Sequence, residues 1–425
     1  MRRIRLRVRG VVQGVGFRPF VYALATRLGL AGFVLNEPDG VAIELEGQPD
    51  ALDAFHAELG HRPPPLARIQ AVDREEIEPE GAGEFVIRQS EEAGERTVFI
   101  APDIATCPDC LREMNDPAGR RHRYPFINCT NCGPRYTIIR DVPYDRARTT
   151  MAAFAMCPEC QAEYEDPANR RFHAEPTCCA VCGPRVELVD SAGAGLAAGD
   201  DAVAEAVRRL ADGQVLAIKG LGGFHLACNA ADAAAVARLR KRKARDLKPF
   251  AVMARDIAAV ERFCLVPADA VATLTGAERP ILLLDKRPGH PLAREVAPRS
   301  ASFGVMLPYT PLHHLLLDGP FPALVMTSGN ISDEPIAHTN DDALARLAPM
   351  ADCFLLHNRH IHIRTDDSVV RRIAGQLRFL RRSRGYAPFP VPLPTGTDAG
   401  EILATGPELN DTVCLTRRGH AFLSH

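Results

Sequence analysis

Apolar and polar side chains alternate over residues 1–91 in the pattern of a small αβ domain. Ile4, Leu6 and Val8 alternate with arginines, which predicts a half-buried strand with one basic face. The stretch 19–28 predicts a helix, and residues 36–45 predict a hairpin. A second helix and two more strands follow near residues 50–59, 67 and 85. This βαββαβ order predicts a ferredoxin-like sandwich.

A different pattern runs through residues 200–388, where short apolar strands alternate with helical segments. The strands are predicted at residues 215–218, 281–284, 323–326 and 354–356. Such alternation predicts a twisted α/β domain. After a Pro-rich stretch, a new strand signal begins at Ile402, and we expect residues 399–425 to be the start of a further, incomplete domain. The fold class is therefore multidomain, α/β and α+β.

The composition, the net charge and the length of the apolar runs indicate the class of protein, its compartment and its possible partners. The 425 residues are 46% hydrophobic and 24% charged, which is typical of globular proteins, and this length favours two to four domains. The net charge of −2 gives no reason to expect a nucleic-acid partner. The sequence has neither a secretory apolar segment nor a long membrane-spanning run. We therefore expect a cytoplasmic protein without membrane contact.

Residues 100–190 contain an internal repeat built on cysteines. The motif Cys-Pro-Asp-Cys at residues 107–110 recurs fifty positions later as Cys-Pro-Glu-Cys, and each copy is followed by Cys-x-x-Cys-Gly-Pro-Arg. Each repeat reads C-x₂-C-x₁₈-C-x₂-C, so it offers two thiolate pairs. Two pairs are what a tetrahedral zinc ion takes in a structural site.

We therefore predict two structural Zn²⁺ sites, in a tandem zinc-ribbon domain at residues 100–190, with these ligands: Cys107, Cys110, Cys129, Cys132, Cys157, Cys160, Cys179 and Cys182. Disulfides and iron–sulfur ligation are the alternatives, and a reducing compartment disfavours the first of them. The repeat register selects Cys179 over its neighbour Cys178. The spacing leaves open whether each zinc takes its ligands from one repeat or from both.

A glycine-rich loop lies between the first strand and the first helix. Glycines let backbone N–H groups converge on an anion, the helix N-terminus adds partial positive charge, and Arg18 offers a bidentate fork. The loop is therefore a candidate phosphate cradle, formed by Gln13, Gly14, Val15, Gly16 and Phe17. The alternative is a tight strand–helix turn followed by a surface arginine.

The run Val-Gln-Gly-Val-Gly-Phe-Arg, followed by a strand that ends in Asn36, resembles the acylphosphatase active site. The resemblance implies that Arg18 and the loop hold a phosphate while Asn36 orients the attacking water. Arg18 and Asn36 are therefore the predicted catalytic residues.

Cations and small polar residues follow several strands of the third region. Lys243-Ala244-Arg245 and Ser328-Gly329-Asn330, in this order, resemble the YrdC/Sua5 fold, which makes carbamoyl or threonylcarbamoyl adenylates. The resemblance implies that ATP and an acyl group contact six residues: Lys219, Lys243, Arg245, Lys248, Ser328 and Asn330. The alternative for the basic run is a solvated end of a charged helix.

An acylphosphatase-like region, twin zinc ribbons and a YrdC-like region, in this order, resemble the hydrogenase-maturation carbamoyltransferases of the HypF family. The resemblance implies that carbamoyl phosphate is cleaved to carbamate, which travels internally and attacks Mg²⁺-bound ATP to give carbamoyladenylate. It also implies a Kae1-like domain, begun at residues 399–425, that passes the carbamoyl group to the C-terminal cysteine of HypE for cyanide-ligand synthesis. We expect this chain alone to form the adenylate but not to complete the transfer.

Two other functions are open at this point. A threonylcarbamoyl-adenylate synthase of tRNA modification would share the YrdC-like pocket, but it gives no reason for the acylphosphatase-like and zinc-ribbon regions. A non-catalytic zinc-ribbon binding protein would use the flanking regions only as scaffold.

Overall fold

The computed structural model describes residues 1–424 except 38, 62, 65, 89–98, 332–333, 395–399, 407–410 and 418. The chain forms two compact units, each made of two segments. The first unit comprises residues 1–101 and 128–182, and the second comprises 102–127 and 183–425.

In the first unit, five strands of the described part form a sheet in the order β4-β1-β3-β2-β5: β1 (Arg2–Val11), β2 (Ala31–Glu37), β3 (Gly40–Gly47), β4 (Arg68–Ile77) and β5 (Phe85–Ile87). Two helices join them, α1 (Phe17–Arg27) and α2 (Pro49–His61). β1 pairs antiparallel with β3 and β4, and β5 pairs parallel with β2. This arrangement confirms the ferredoxin-like sandwich.

The apolar positions of β1 explain how this sandwich closes. Ile4, Leu6 and Val8 are fully buried, as period-2 alternation requires for the face of a strand that meets the helices. Across the same sheet face, α1 buries Val21 and Leu24 on its inner side. The consequence for the site is that the β1–α1 loop and the end of β2 lie at the same edge of the sheet.

The cysteine-rich segment forms short helices rather than a sheet. Cys107 and Cys157 occupy equivalent positions, each directly before a helix that begins with proline, α3 (Pro108–Met114) and α4 (Pro158–Glu165). Proline suits the first helical turn because its missing N–H would have no intrahelical partner there. Two 3₁₀ turns, Arg146–Arg148 and Thr150–Ala153, connect the repeats.

The second unit is built on a mixed sheet whose described strands follow the order β16-β15-β11-β12-β10-β13-β9-β8-β14-β6-β7. Their bounds are β6 (Val186–Asp190), β7 (Gly195–Ala198), β8 (Leu216–Lys219), β9 (Phe224–Asn229), β10 (Ala251–Met253), β11 (Ile281–Asp285), β12 (Ser302–Met306), β13 (Leu324–Ser328), β14 (Cys353–His357), β15 (Val369–Ile373) and β16 (Gln376–Arg381).

Helices cover this sheet: α5 (Gly199–Ala211), α6 (Ala233–Arg242), α7 (Ile257–Glu261), α8 (Ala268–Thr275), α9 (Pro311–Leu316) and α10 (Asn340–Leu347), with a 3₁₀ turn at Arg294–Val296. α5 shows why they pack there, because Val203, Ala206 and Leu210 recur at helical spacing and are fully buried. A core of buried apolar side chains, including Phe224, Phe250 and Phe354, joins the helices to the sheet.

The last residues form a separate small sheet in the order β17-β20-β19-β18, from strands β17 (Val391–Pro392), β18 (Leu403–Ala404), β19 (Cys414–Arg417) and β20 (His420–Leu423). The strand signal that the sequence gives at Ile402 corresponds to β18.

Candidate functional site

The loop between β1 and α1 depends on two glycines. Gly14 and Gly16 have φ of 69° and 76°, in the left-handed region that favours glycine. Gly16 is also the residue directly before α1, and a Cβ there would lie 2.6 Å from Thr130 Cγ2. The loop therefore needs glycine for its backbone and for close packing, and it turns the chain directly into the helix N-terminus.

Arg18 and Asn36, the predicted catalytic pair, lie side by side. Arg18 is in the first turn of α1 and is only 8% exposed, and Asn36 is on β2 and 1% exposed. With the Asn36 amide oxygen facing Arg18, that oxygen accepts from Arg18 Nε and Nη2 at 3.2 Å each. Two residues 18 positions apart in sequence thus share one buried polar site.

Other side chains fix the loop. Gln13 Nε2 donates to the backbone carbonyls of Glu37 and Gly40 at 2.7 and 2.8 Å, which ties the loop to the β2–β3 hairpin. Arg135, from the first cysteine repeat, donates from Nε to the Gly14 carbonyl at 2.5 Å. The cysteine-rich segment therefore helps to fix the conformation of the glycine-rich loop.

Two carboxylates that no sequence motif predicted also lie at this site. Arg18 Nη2 lies 3.1 Å from Asp145 Oδ1 and 3.0 Å from Glu175 Oε1. Glu175 is buried, and its second oxygen accepts from the Arg146 backbone N–H at 2.9 Å and from Tyr164 Oη at 3.0 Å. Desolvation raises the pKa of Glu175 to about 7, against the opposing effect of Arg18.

The free space at this site is small. A cavity of about 20 Å³ remains, and its lining includes Gln13, Gly14, Arg18, Asn36, His173 and Glu175. His173 belongs to the same polar group, and burial lowers its pKa to about 4. A volume of this size accommodates about one water molecule.

The cysteine repeats offer two groups of four thiols as metal ligands. In the second repeat, the sulfur atoms of Cys157, Cys160, Cys179 and Cys182 all lie within 4.8 Å of one another. Cys179 Sγ is 3.7 Å from Cys157 Sγ and 3.8 Å from Cys182 Sγ. Tetrahedral zinc with Zn–S bonds of about 2.3 Å requires sulfur separations of about 3.8 Å. The second cluster therefore fits zinc, and all four ligands come from one repeat.

The first repeat shows the same local arrangement. Cys129 Sγ and Cys132 Sγ are 3.9 Å apart, close to the separation in the second repeat. Cys110, like Cys160, is fully buried in its short helix. The adjacent Cys178 lies outside both groups of four.

In the second unit, the predicted nucleotide residues converge at the ends of α6 and β13. Lys243 directly follows α6, and its Nζ donates to the Ser328 carbonyl at 2.5 Å and to Asn330 O and Oδ1 at 2.8 and 2.9 Å. Ser328 Oγ donates to Asn330 Oδ1 at 2.8 Å. Arg245 Nη1 donates to Thr327 Oγ1 at 2.9 Å. The two motifs, about 85 residues apart in sequence, form one hydrogen-bonded cluster.

This cluster lines a cavity of about 620 Å³, large enough for a small-molecule ligand. Desolvation, together with the charges of Arg245 and Lys248, lowers the pKa of Lys243 to about 7. Desolvation and nearby arginines lower the pKa of Arg245 to about 10. Two cations with lowered pKa values therefore line one cavity, an arrangement that favours an anionic ligand.

Lys248 and Lys219 differ in their relation to this cavity. Lys248 is exposed and lines the cavity. Lys219, at the end of β8, is not among the described lining residues, and its Nζ instead donates to Asn340 Oδ1 at 2.7 Å and to the His357 carbonyl at 3.0 Å. Of the six predicted residues, Lys219 is therefore the one that the structure does not bring to the cavity.

The cavity also contains residues that sequence reasoning did not assign to it. Asp366 and Asp367 line it, and Asp367 pairs with Arg384 at 2.7 Å and with His225 at 2.9 Å. The Arg384 guanidinium holds the pKa of Asp367 well below its usual range, against the effect of desolvation. The run Arg-Thr-Asp-Asp-Ser at 364–368 was the signal in the sequence, although it did not indicate the contact with His225.

Known proteins match this chain over its whole length. Carbamoyltransferase HypF2 of Cupriavidus necator is 50% identical over 443 residues, which include 99% of this chain and 54% of that protein. Carbamoyltransferase HypF of Rhodobacter capsulatus is 51% identical over 99% of this chain and 56% of its own length. A crystal structure of full-length HypF in the phosphate- and nucleotide-bound form matches with a TM-score of 0.94 and 46% identity. The match includes 100% of this chain and 55% of the chain in that crystal structure.

The chain belongs to the HypF family. It spans about half the length of the curated relatives it matches. The similarity extends over all three regions of the chain and not over its YrdC-like or cysteine-rich region alone.

Family models match three parts of this chain. The acylphosphatase model matches residues 4–87, and the HypF finger model matches 106–139 and 156–189, which include all eight predicted zinc ligands. The Sua5/YciO/YrdC model, described as telomere recombination, matches 208–383. Acylphosphatase of Thermotoga maritima is 44% identical over 89 residues, 98% of its length and 21% of this chain. An acylphosphatase-like domain, two Cys₄ zinc fingers and a YrdC-like domain are therefore shown.

Within the described ranges, every helix is too short or too polar to cross a lipid bilayer.

Proposed function

We propose that this chain cleaves carbamoyl phosphate at Arg18 and Asn36 and uses ATP at the Lys243 cluster to form carbamoyladenylate. The carbamoyl group is destined for the C-terminal cysteine of HypE, as a step in making the cyanide ligands of [NiFe]-hydrogenase. The proposed compartment is the cytoplasm.

In the first reaction, Arg18 and the loop from Gln13 to Phe17 bind the phosphate group. Asn36 orients a water molecule whose oxygen attacks phosphorus. The bond from phosphorus to the carbamoyl oxygen breaks, carbamate leaves with the bonding electrons, and the water protons remain on phosphate. The cations stabilise charge that builds on the phosphoryl oxygens, which is the main contribution a protein makes to phosphoryl transfer.

In the second reaction, a carbamate oxygen attacks the α-phosphorus of ATP and pyrophosphate leaves. Lys243, Arg245 and Lys248 neutralise the phosphates, with Mg²⁺ bound to the ATP as substrate. Ser328 and Asn330 bind the carbamoyl group through hydroxyl and amide. For Lys219, whose Nζ contacts Asn340 and His357, we propose a supporting role at the end of β8.

The zinc ions have no part in either reaction. Four sulfur ligands leave no open coordination position, so the two zinc ions hold the fingers together. Through Arg135, the first finger supports the phosphate loop.

The observation that carries the proposal is the pairing of two clusters on one HypF-family chain: Arg18 with Asn36, and Lys243 with Ser328 and Asn330. The acylphosphatase of Thermotoga maritima aligns over 98% of its length with only 21% of this chain, so its match does not extend to the second cluster. A chain that needed only adenylate chemistry would have no use for the first cluster.

Exchange of labelled pyrophosphate into ATP tests this function. We expect exchange with this chain when carbamoyl phosphate is added, and none when both carbamoyl phosphate and carbamate are absent. Exchange driven instead by threonine and bicarbonate would select a threonylcarbamoyl-adenylate synthase. No exchange under any condition would favour a non-catalytic zinc-finger protein.

A further inference from the structure

Arg18 is engaged by carboxylates from the second half of its own unit. Its Nη2 contacts both Asp145 and Glu175, at 3.1 and 3.0 Å. We call these two residues the carboxylate pair. The Asp145 side chain is 29% exposed, whereas that of Glu175 is 1% exposed. Arg18 therefore cannot bind a phosphate dianion with this nitrogen until at least one carboxylate gives way.

Glu175 is also held from its other side. The Arg146 backbone N–H and Tyr164 Oη donate to its Oε2, and the Arg146 guanidinium donates to the Glu175 carbonyl at 2.5 Å. The charged or titratable groups around it are therefore Arg18, Asp145, Arg146 and Tyr164, and His173 lines the same cavity. These bonds keep the Glu175 carboxyl in place after Arg18 turns away.

Phosphate binding then leaves a buried carboxylate without its cation. The free volume of about 20 Å³ beside Glu175 is too small for a hydrated counter-ion to replace Arg18 there. An unpaired buried charge is strongly unfavourable, and a carboxyl group in that position takes up a proton instead. Protonation also removes the repulsion between Glu175 and the incoming phosphate.

We propose that Glu175, assisted by Asp145, is a positioning residue that holds Arg18 in the acylphosphatase-like site. When a phosphorylated ligand replaces Glu175 as the partner of Arg18, the Glu175 carboxyl keeps its position and takes up a proton from solvent. The inference rests on the proposed function only in assigning carbamoyl phosphate as the natural ligand. In such a site, the arginine gives up its ion pair with an internal carboxylate when it binds the phosphate of the substrate.

The pKa of Glu175, raised to about 7 by burial, agrees with this geometry. Below this pH the residue is already protonated, so phosphate binding requires no further proton. Above it, each pH unit is expected to weaken binding about tenfold relative to a variant that cannot ionise.

Titration calorimetry with inorganic phosphate tests the proposal on the zinc-loaded chain. At pH 8, in two buffers of different ionisation enthalpy, we expect uptake of about one proton per phosphate bound. Glu175→Gln should lose that uptake and bind phosphate about tenfold more tightly at pH 8, with a ratio near one at pH 6. Gln retains an acceptor for Tyr164 and Arg146, and zinc content and thermal unfolding check its fold.

Asp145→Asn is the matched variant, because it removes the exposed member of the pair. It should bind phosphate more tightly but keep the proton uptake. It also provides the affinity test if Glu175→Gln fails to fold. If phosphate binding is detected for Glu175→Gln but not for the wild type, that result also supports the proposal, because removing the carboxylate then permits binding.

Equal proton uptake and affinity in the wild type and both variants, or no phosphate binding by any of them, would overturn the proposal. Phosphate release from carbamoyl phosphate is measured in parallel. If proton-linked phosphate binding occurs without turnover, the proposed function fails while the role of Glu175 stands.

Discussion

At the scale of single residues, Arg18 carries a charge where water cannot stabilise it. It is 8% exposed, and leaving a buried charge without its partner costs about 3–5 kcal/mol. The empty site therefore requires an internal anion, which the carboxylate pair supplies. In the proposed exchange, a ligand phosphate replaces that anion, and substrate binding is then linked to the ionisation of Glu175.

Arg18→Lys tests whether the guanidinium itself performs the first reaction. Lysine keeps the charge but loses the planar fork that binds two phosphoryl oxygens. We expect phosphate release from carbamoyl phosphate to fall by about 100-fold. Arg27→Lys, on the same helix and exposed, is the control that should keep wild-type activity. Unchanged turnover in Arg18→Lys would remove the residue from its proposed catalytic role.

Residue patterns predicted some members of this site but not others. Arg18 and Asn36 could be predicted because the loop motif and the strand end are local features. Glu175 is 157 positions from Arg18 in sequence, and only the packing of the fingers on the sandwich brings them together. The available signal was a departure from the repeat, since Pro125 of the first repeat aligns with Glu175 of the second.

At the scale of elements, the fingers are small structures that cannot rely on an apolar core. α4 has eight residues and buries Cys160 but few apolar side chains. Metal ligation supplies the stability that such a segment lacks. The spacing of the cysteines predicted the two Cys₄ groups. Only the three-dimensional positions show whether a zinc ion takes its four ligands from one repeat or from both.

Adjacent cysteines give a matched test of the second zinc site. Cys179→Ser should reduce bound zinc from two ions to one per chain and lower the midpoint of thermal unfolding, because one of four ligands is lost. Cys178→Ser, one position earlier and outside the cluster, should keep both ions. Metal analysis after gel filtration measures both. Retention of two zinc ions by Cys179→Ser would contradict the assigned ligand set.

At the scale of the whole molecule, local patterns predicted strands better than their order. Apolar runs indicated β8, β11, β13 and β14, but the sheet places β14 between β8 and β6. That order depends on long-range pairing, such as Leu355 with Leu188, which no local pattern encodes. The fold class could be predicted, but the topology of the large sheet could not.

Buried histidines make the second unit sensitive to acid. Burial lowers the pKa of His313 and His357 well below the usual value and that of His314 to about 4. Below pH 6.5 these histidines are protonated in the unfolded chain but stay neutral in the folded chain. The free energy of unfolding therefore falls as the pH drops from 6.5 toward 4, and these residues do not affect it above pH 6.5.

Each such histidine adds about 1.4 kcal/mol per pH unit to the slope of the unfolding free energy. His313→Leu should reduce that slope by about this amount between pH 6 and 5, measured by chemical denaturation. His122→Gln, at an exposed position, should leave the slope unchanged. An unaltered slope in His313→Leu would show that this imidazole is protonated in the folded state.

The central claim is that the Arg18 site makes the carbamate that the Lys243 site activates. It is tested most directly by pyrophosphate–ATP exchange in Arg18→Ala and Lys243→Met, with carbamoyl phosphate or with carbamate formed from ammonium bicarbonate. We predict that Arg18→Ala fails with carbamoyl phosphate but recovers exchange with carbamate, whereas Lys243→Met fails with both. Wild-type exchange by Arg18→Ala with carbamoyl phosphate would contradict the account.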